Sequence, residues 1–195
     1  MRARLALSSA SVKVHLREVV LRDKPDAFLA ASPSATVPCL QVGTQCIDES
    51  FDIMLWALRQ NDPEGWLDMP EGGDALIEAC DGDFKTVLDR YKYNSRHGDV
   101  DIASERGKAG IFLHQLEAQL DGGDWLFGAN PCLADMAILP FIRQFAHVDL
   151  MWFTAQPWPN VIHWFGAFKA SGRFRAIMSK YPQWQAGDVP VIFPA

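Results

Sequence analysis

Four cysteines, five histidines and one acid–hydroxyl pair are the residues of this sequence with chemistry to offer. Cys39, Cys46, Cys80 and Cys132 form no CxxC pair, and each sits in an apolar run or beside a turn. Reduced, partly buried thiols follow from that placement. His15, His97, His114, His147 and His163 show neither HxxxH nor HxH spacing, so no metal site is expected. The chain carries no GxGxxG, Walker-type or GxSxG loop, so neither nucleotide binding nor a nucleophile elbow is indicated. The pair is Glu49–Ser50, standing where a helical period begins. Such residues suit the first turn of any helix, and they equally suit contacts to a ligand placed there.

The elements that must hold these residues can be read from periodicity. Residues 1 to about 10 form a short helix, with Leu5 and Leu7 inside and Arg2 and Arg4 outside. SVKVHLREVV alternates, putting Val12, Val14, Leu16 and Val20 on one face, as a strand does. DKPDAFLAASP is a short helix with Pro25 at its first turn and Pro33 ending it. VPCLQVGTQCI is a hairpin around Gly43. From Asp48 the period lengthens, and Ile53, Met54, Ala57 and Leu58 share a helical face. NDPEGWLDMPEGG is a linker by its Pro, Gly and acidic content.

Beyond the linker the pattern is helical. Leu76, Ile77, Cys80, Phe84, Val87, Leu88 and Tyr91 make one stripe. Ile102, Ala109, Phe112, Leu113, Leu116 and Leu120 make a second, closed by Asp121-Gly122-Gly123. Further helices run from about Leu133 to His147, with Pro140 inside, from Asn160 to Ala170, and from Gly172 to Tyr181. KYNSRHGD is a polar helix end or loop, and the apolar tail VPVIFPA is expected to pack down. The expected fold class is therefore α/β plus all-α, with domains over 1–61 and 73–195 and a linker over 62–72.

Composition removes several function classes. A net charge of −6 lacks the basic face that phosphate recognition needs, which argues against nucleic acid. The apolar runs are far shorter than a bilayer span, so no membrane role is expected. Met1 leads into RARLALSSA with no long apolar core, so a secretory leader is not expected and the cytoplasm is.

Three segments together resemble the glutathione transferase superfamily, nearest to its omega-like bacterial members. DKPDAFLAASPSATVPCL resembles the family's Lys-Pro helix and the hairpin opening with Val-Pro. IDESFDIMLWAL is similar to the family's Glu-Ser pair at a helix start, and GANPCLADMAILPFIRQFA to its signature in the helical domain. The resemblance implies an N-terminal thioredoxin-like domain followed by an all-helical glutathione-transferase domain. It also implies glutathione as cosubstrate, with no metal.

On these positions, Ser50 offers a hydroxyl and helix N–H groups to the γ-glutamyl carboxylate, and Glu49 pairs with the ammonium. Val37, before a proline that is cis in the family, presents its backbone to the cysteinyl part, with Pro38 fixing the geometry. Lys24 matches a family lysine that contacts the peptide. Tyr91, Tyr93, Trp152 and Phe153 are candidates to line an apolar cleft for a second substrate, an electrophile or a disulfide. At the signature the family places Ser or Thr three residues before Asp. Here Cys132 precedes Asp135, so a weakened start or a cap from Asn130 is expected.

The family's domain opens with a strand and a loop bearing the catalytic residue, and MRARLAL matches the helix that follows them. On the resemblance, that strand and loop precede this sequence, leaving two sheet edges to be closed by direct pairing or by a partner chain. No catalytic residue is assigned within the sequence, and Cys39 is not expected to replace one. The implied function is a glutathione-dependent transferase or thiol oxidoreductase, a homodimer by the same resemblance. The alternative is a non-catalytic binding or regulatory protein of the same fold.

Overall fold

A computed structural model describes residues 1–93 and 100–195. Most of KYNSRHGD, His97 included, lies outside the described residues. The described chain divides into two compact units, Met1–Gly65 with Gly172–Ala195, and Trp66–Ser171.

The first unit begins with α1 (Arg2–Ser9), which packs against α3 (Ser50–Gln60). Leu5 and Ala6 on α1 and Ile53, Met54 and Ala57 on α3 are all essentially sealed from solvent. Arg2 departs from the expected outward position: it is buried, with its guanidinium 5.8 Å from the Phe51 ring. Its charged end is enclosed along with its stem, and the face of the Phe51 ring offsets part of the cost of desolvating the cation. Arg4, also expected outside, is a half-buried hub. It pairs with Glu18 at 2.5 Å and donates to the carbonyls of Ile177 and Ser179.

The strand segment alternates in burial as expected, but its regular part is only β1 (Val14–Leu16). It is followed by α2 (Asp26–Ala31) and by the hairpin β2 (Leu40–Val42) and β3 (Gln45–Ile47). Gly43, at φ 59°, supplies the left-handed residue of the two-residue turn. The strands form two separate two-stranded sheets, β1 with β4 (Val191–Phe193) and β2 with β3. Of the two closures expected for the facing edges, direct pairing of β1 with β2 is not what the described residues adopt. Instead the C-terminal tail serves β1: Val14, His15 and Leu16 pair antiparallel with Phe193, Ile192 and Val191. Phe193 is buried, whereas Val189 and Ile192 of the same apolar tail are exposed, so the expected packing of the tail holds only in part. The helix α10 (Gly172–Ile177) packs on α1 in this unit rather than with the helical one. Arg173 fixes it by a two-point pair with Glu64, which also accepts from the Ser9 hydroxyl at 2.6 Å.

The second unit is all helix. Its first stripe is one rod: α4 (Gly72–Ala79), a π-helical turn at Cys80–Phe84, and α5 (Lys85–Lys92). The wider turn keeps Cys80, Phe84, Leu88 and Tyr91 facing α6 (Ile102–Gln119) and α7 (Leu133–Ala146). Phe84 lies 4.9 Å from Phe112 and 5.6 Å from Phe145 by ring centroid. Each such buried ring contributes about 1.5–3 kcal/mol by area. Ile102 is the exception to the second stripe and is exposed, as the first residue of α6. Next come α8 (Leu150–Thr154), which periodicity did not resolve, and α9 (Pro159–Ala170). Glu117 of α6 caps α9 by accepting from the backbone of Asn160 and Val161, at 3.1 and 2.9 Å.

Candidate functional site

The β2–β3 register pairs Leu40 with Ile47 and Gln41 with Cys46. Counting outward from Leu40–Ile47, the two residues at the open end of the hairpin are Pro38 and Glu49. One hairpin thus carries Val37–Pro38 on its entering arm and Glu49–Ser50 on its leaving arm, and the leaving arm runs straight into α3. The Val37–Pro38 peptide is cis, as the resemblance implies, and Val37 is 44% exposed.

Glu49 is the N-cap of α3, extended in backbone and exposed, and no side chain closes this helix start among the described residues. Its carbonyl takes the Ile53 N–H at 3.0 Å. The opening turn therefore presents N–H groups and the positive end of an 11-residue helix beside a half-buried Ser50 hydroxyl. An anion is the natural complement. Lys24 stands half-buried in the loop before α2, and the hairpin does not position it.

On one face of that hairpin the structure brings together two residues that the sequence treats separately. The sulfurs of Cys39 and Cys46 lie 2.9 Å apart, both half-buried and both free thiols. Burial, the hydrogen bond with Cys46 and the Cys46 charge together push the Cys39 thiol up to about 11. A Ser32 hydrogen bond opposes this. The signal was available: a hairpin turning at Gly43 puts residues 39, 41, 46 and 48 on one face.

The four aromatic candidates for the second-substrate cleft separate in the second unit. Tyr91 is buried, and its hydroxyl accepts from Arg106 at 3.0 and 2.9 Å. Trp152 stacks under the same guanidinium at 4.2 Å and lines a groove of about 600 Å³ with Ile102, Arg106, His114 and Trp158. Phe153, the next residue on α8, points into the core and is fully buried. Tyr93 is half-buried, with Lys92 4.9 Å from its ring. Asp149 closes the cluster, pairing with Arg106 at 2.7 Å and accepting the Trp152 N–H. Those two bonds hold its carboxyl below the usual range.

At the start of α7, Cys132 is the N-cap, and the Asn130 cap is not formed. Asp135 reaches back to the Cys132 N–H at 2.9 Å, the reciprocal half of a capping box, while the Cys132 sulfur faces the Asp135 backbone. Asp135 also takes the Leu126 N–H at 3.0 Å and the Trp164 indole N–H at 2.9 Å. Burial raises its carboxyl against those bonds. Burial and the Asp135 charge push the Cys132 thiol up to about 12, which makes it inert. No group of three metal-ligating side chains occurs among the described residues, and none of their helices is long and apolar enough to cross a membrane.

The profile of the glutathione S-transferase N-terminal domain matches residues 1–65, and that of the C-terminal domain residues 112–186. BphK, a bacterial glutathione S-transferase, superposes with a TM-score of 0.76 at 19% identity, covering 91% of this chain and 92% of that one. Glutathione S-transferase-I bound with lactoylglutathione gives 0.71 at 20% identity, covering 90% and 91%. Maleyl pyruvate isomerase, a bacterial zeta-class glutathione S-transferase, gives 0.68 at 25% identity, covering 90% of each chain. A search of curated proteins by sequence finds no match. With a small α/β unit, an all-helical unit and both family domains in order, the chain belongs to the glutathione transferase superfamily. It is a glutathione S-transferase-like protein. The omega-like affinity of its motifs is not a finding of these comparisons.

Proposed function

We propose that the open end of the β2–β3 hairpin binds glutathione, and that the protein serves glutathione-dependent thiol transfer or conjugation. The observation that carries this is the uncapped start of α3, where Glu49 and Ser50 follow directly from the hairpin. The Ser50 hydroxyl and the first-turn N–H groups take the γ-glutamyl carboxylate, and Glu49 takes the ammonium. The exposed Val37 backbone takes the cysteinyl amide in the manner of an added strand. Lys24 is the cation for the second carboxylate. Trp152, beside Arg106 on the groove, is the aromatic residue through which an apolar electrophile or disulfide would be held. The buried Tyr91 and Phe153 act behind it as its support, and Tyr93 stands outside the groove lining. The catalytic step is assigned to none of these residues. By the family resemblance the protein acts as a cytoplasmic homodimer.

The test is calorimetric titration of the chain with reduced glutathione, beside Glu49→Ala. Saturable binding that weakens about tenfold in the variant, roughly 1.4 kcal/mol, is expected. Absence of binding, or equal affinity in both proteins, overturns the assignment. Binding without turnover of any disulfide or electrophile would favour the non-catalytic alternative.

A further inference from the structure

We propose that Cys39 and Cys46 form a reversible dithiol–disulfide pair across the β2–β3 hairpin, oxidised by low-molecular-weight disulfides such as glutathione disulfide. The pair is a cluster of two groups, not a lone thiol. Its sulfurs are already 2.9 Å apart on the same face of a two-stranded ladder. Closing that gap to a bond of about 2.05 Å asks less than 1 Å of the two side chains. Both residues are reached by solvent, whereas Cys80 and Cys132 are buried.

The reaction proceeds in two exchanges. Cys46, as thiolate, attacks one sulfur of glutathione disulfide. The glutathione S–S bond breaks, a Cys46–glutathione disulfide forms, and one glutathione thiolate leaves. Cys39 then gives its proton to solvent, and its sulfur attacks the Cys46 sulfur. The mixed disulfide breaks, the Cys39–Cys46 bond forms and the second glutathione leaves. Two protein thiols are oxidised, one disulfide is reduced to two thiols, and the two protons lost by the cysteines are taken up by the glutathione thiolates.

The local chemistry assigns the order. Cys39 holds its proton strongly, partly because of the hydrogen bond to Cys46 and the Cys46 charge. It is therefore a poor first nucleophile. Once Cys46 is in a mixed disulfide its charge is gone, and with it one of the influences that keep Cys39 protonated. The Ser32 hydrogen bond then acts in favour of the Cys39 thiolate, while Asp48 opposes it. Proximity supplies the rest, since the two sulfurs need no search to meet.

The experiment equilibrates the chain in buffers of stepped glutathione to glutathione disulfide ratio, and separately in bis(2-hydroxyethyl) disulfide. Free thiols are then alkylated and the intact mass and peptides are read. No Lys or Arg lies between Lys24 and Arg59, so chymotrypsin, which cuts after Leu40, is used to separate the two cysteines. Expected is a chain carrying two alkyl groups where the fully reduced control carries four, a linked Cys39–Cys46 peptide in both oxidants, and full alkylation of Cys80 and Cys132 after denaturation. Cys39→Ser should instead trap one stable adduct on Cys46, and Cys46→Ser should react several-fold more slowly than Cys39→Ser. The proposal is overturned if wild-type protein alkylates at both positions at every ratio. It is also overturned if each cysteine carries its own adduct with no linked peptide. Because the second oxidant is not a glutathione derivative, a failure of glutathione binding leaves this result readable.

Discussion

The hairpin of the first unit and the α7 start of the second are both built around a helix N-terminus, and they use it in opposite ways. At α7 the end is closed: Asp135, completely buried, gathers donors from Cys132, Leu126 and Trp164. At α3 the end is left open beside an exposed Glu49. A carboxylate sealed among donors holds a fold together, and an unclosed helix start waits for one from outside. The closed end serves stability and the open end recognition.

Breaking the closed end should have the largest effect. Asp135→Ala strands several buried donors and should cost about 3–5 kcal/mol in urea unfolding. The Kd for glutathione of the remaining folded protein should be unchanged. The open end should show the reverse: Ser50→Ala weakens glutathione binding about tenfold while moving unfolding stability by no more than about 0.5 kcal/mol. A Ser50→Ala protein that lost several kcal/mol would mean that both ends are structural.

Cys132→Ser sharpens the closed end further. A hydroxyl is a better cap than a thiol, so unfolding stability should rise by about 0.5–1 kcal/mol. The smallest effect concerns His147 at the far end of α7, whose pKa burial, Lys169 and Arg143 push below 6.5. A lowered histidine favours the neutral form in the fold. Its contribution is whole above pH 6.5 and is lost as pH falls from 6.5 through the lowered value. His147→Gln should flatten that part of the stability–pH curve, and an unchanged slope would sink the assignment.

Much of this contrast was legible in the sequence. The stripe Ile53, Met54, Ala57 and Leu58 fixes which face of α3 is buried, and Glu49–Ser50 then has to stand at its open end. What was not legible depends on partners distant along the chain. Arg2 and Arg4 look like surface charge until Phe51 and the Glu18, Ile177 and Ser179 groups are brought to them. The Asp135 node needs Leu126 and Trp164, neither of which any local capping rule implicates. The π-helical turn leaves no mark in the apolar stripe because it preserves the buried face. The Cys39–Cys46 contact was within reach, because it follows once the hairpin register is counted through.

The pairing of β1 with β4 also has a consequence for how the chain is made. Val14 waits for Phe193, and the whole helical unit is synthesised in between. The helical unit is thus an insertion into the first, and its local contacts can form while β1 still has an open edge. Nascent chains halted before Gly172 should leave the Val14–Leu16 amides open to hydrogen exchange while those of α6 and α7 are already protected. In cells, the interval between those two events is when β1 would need shielding from other chains.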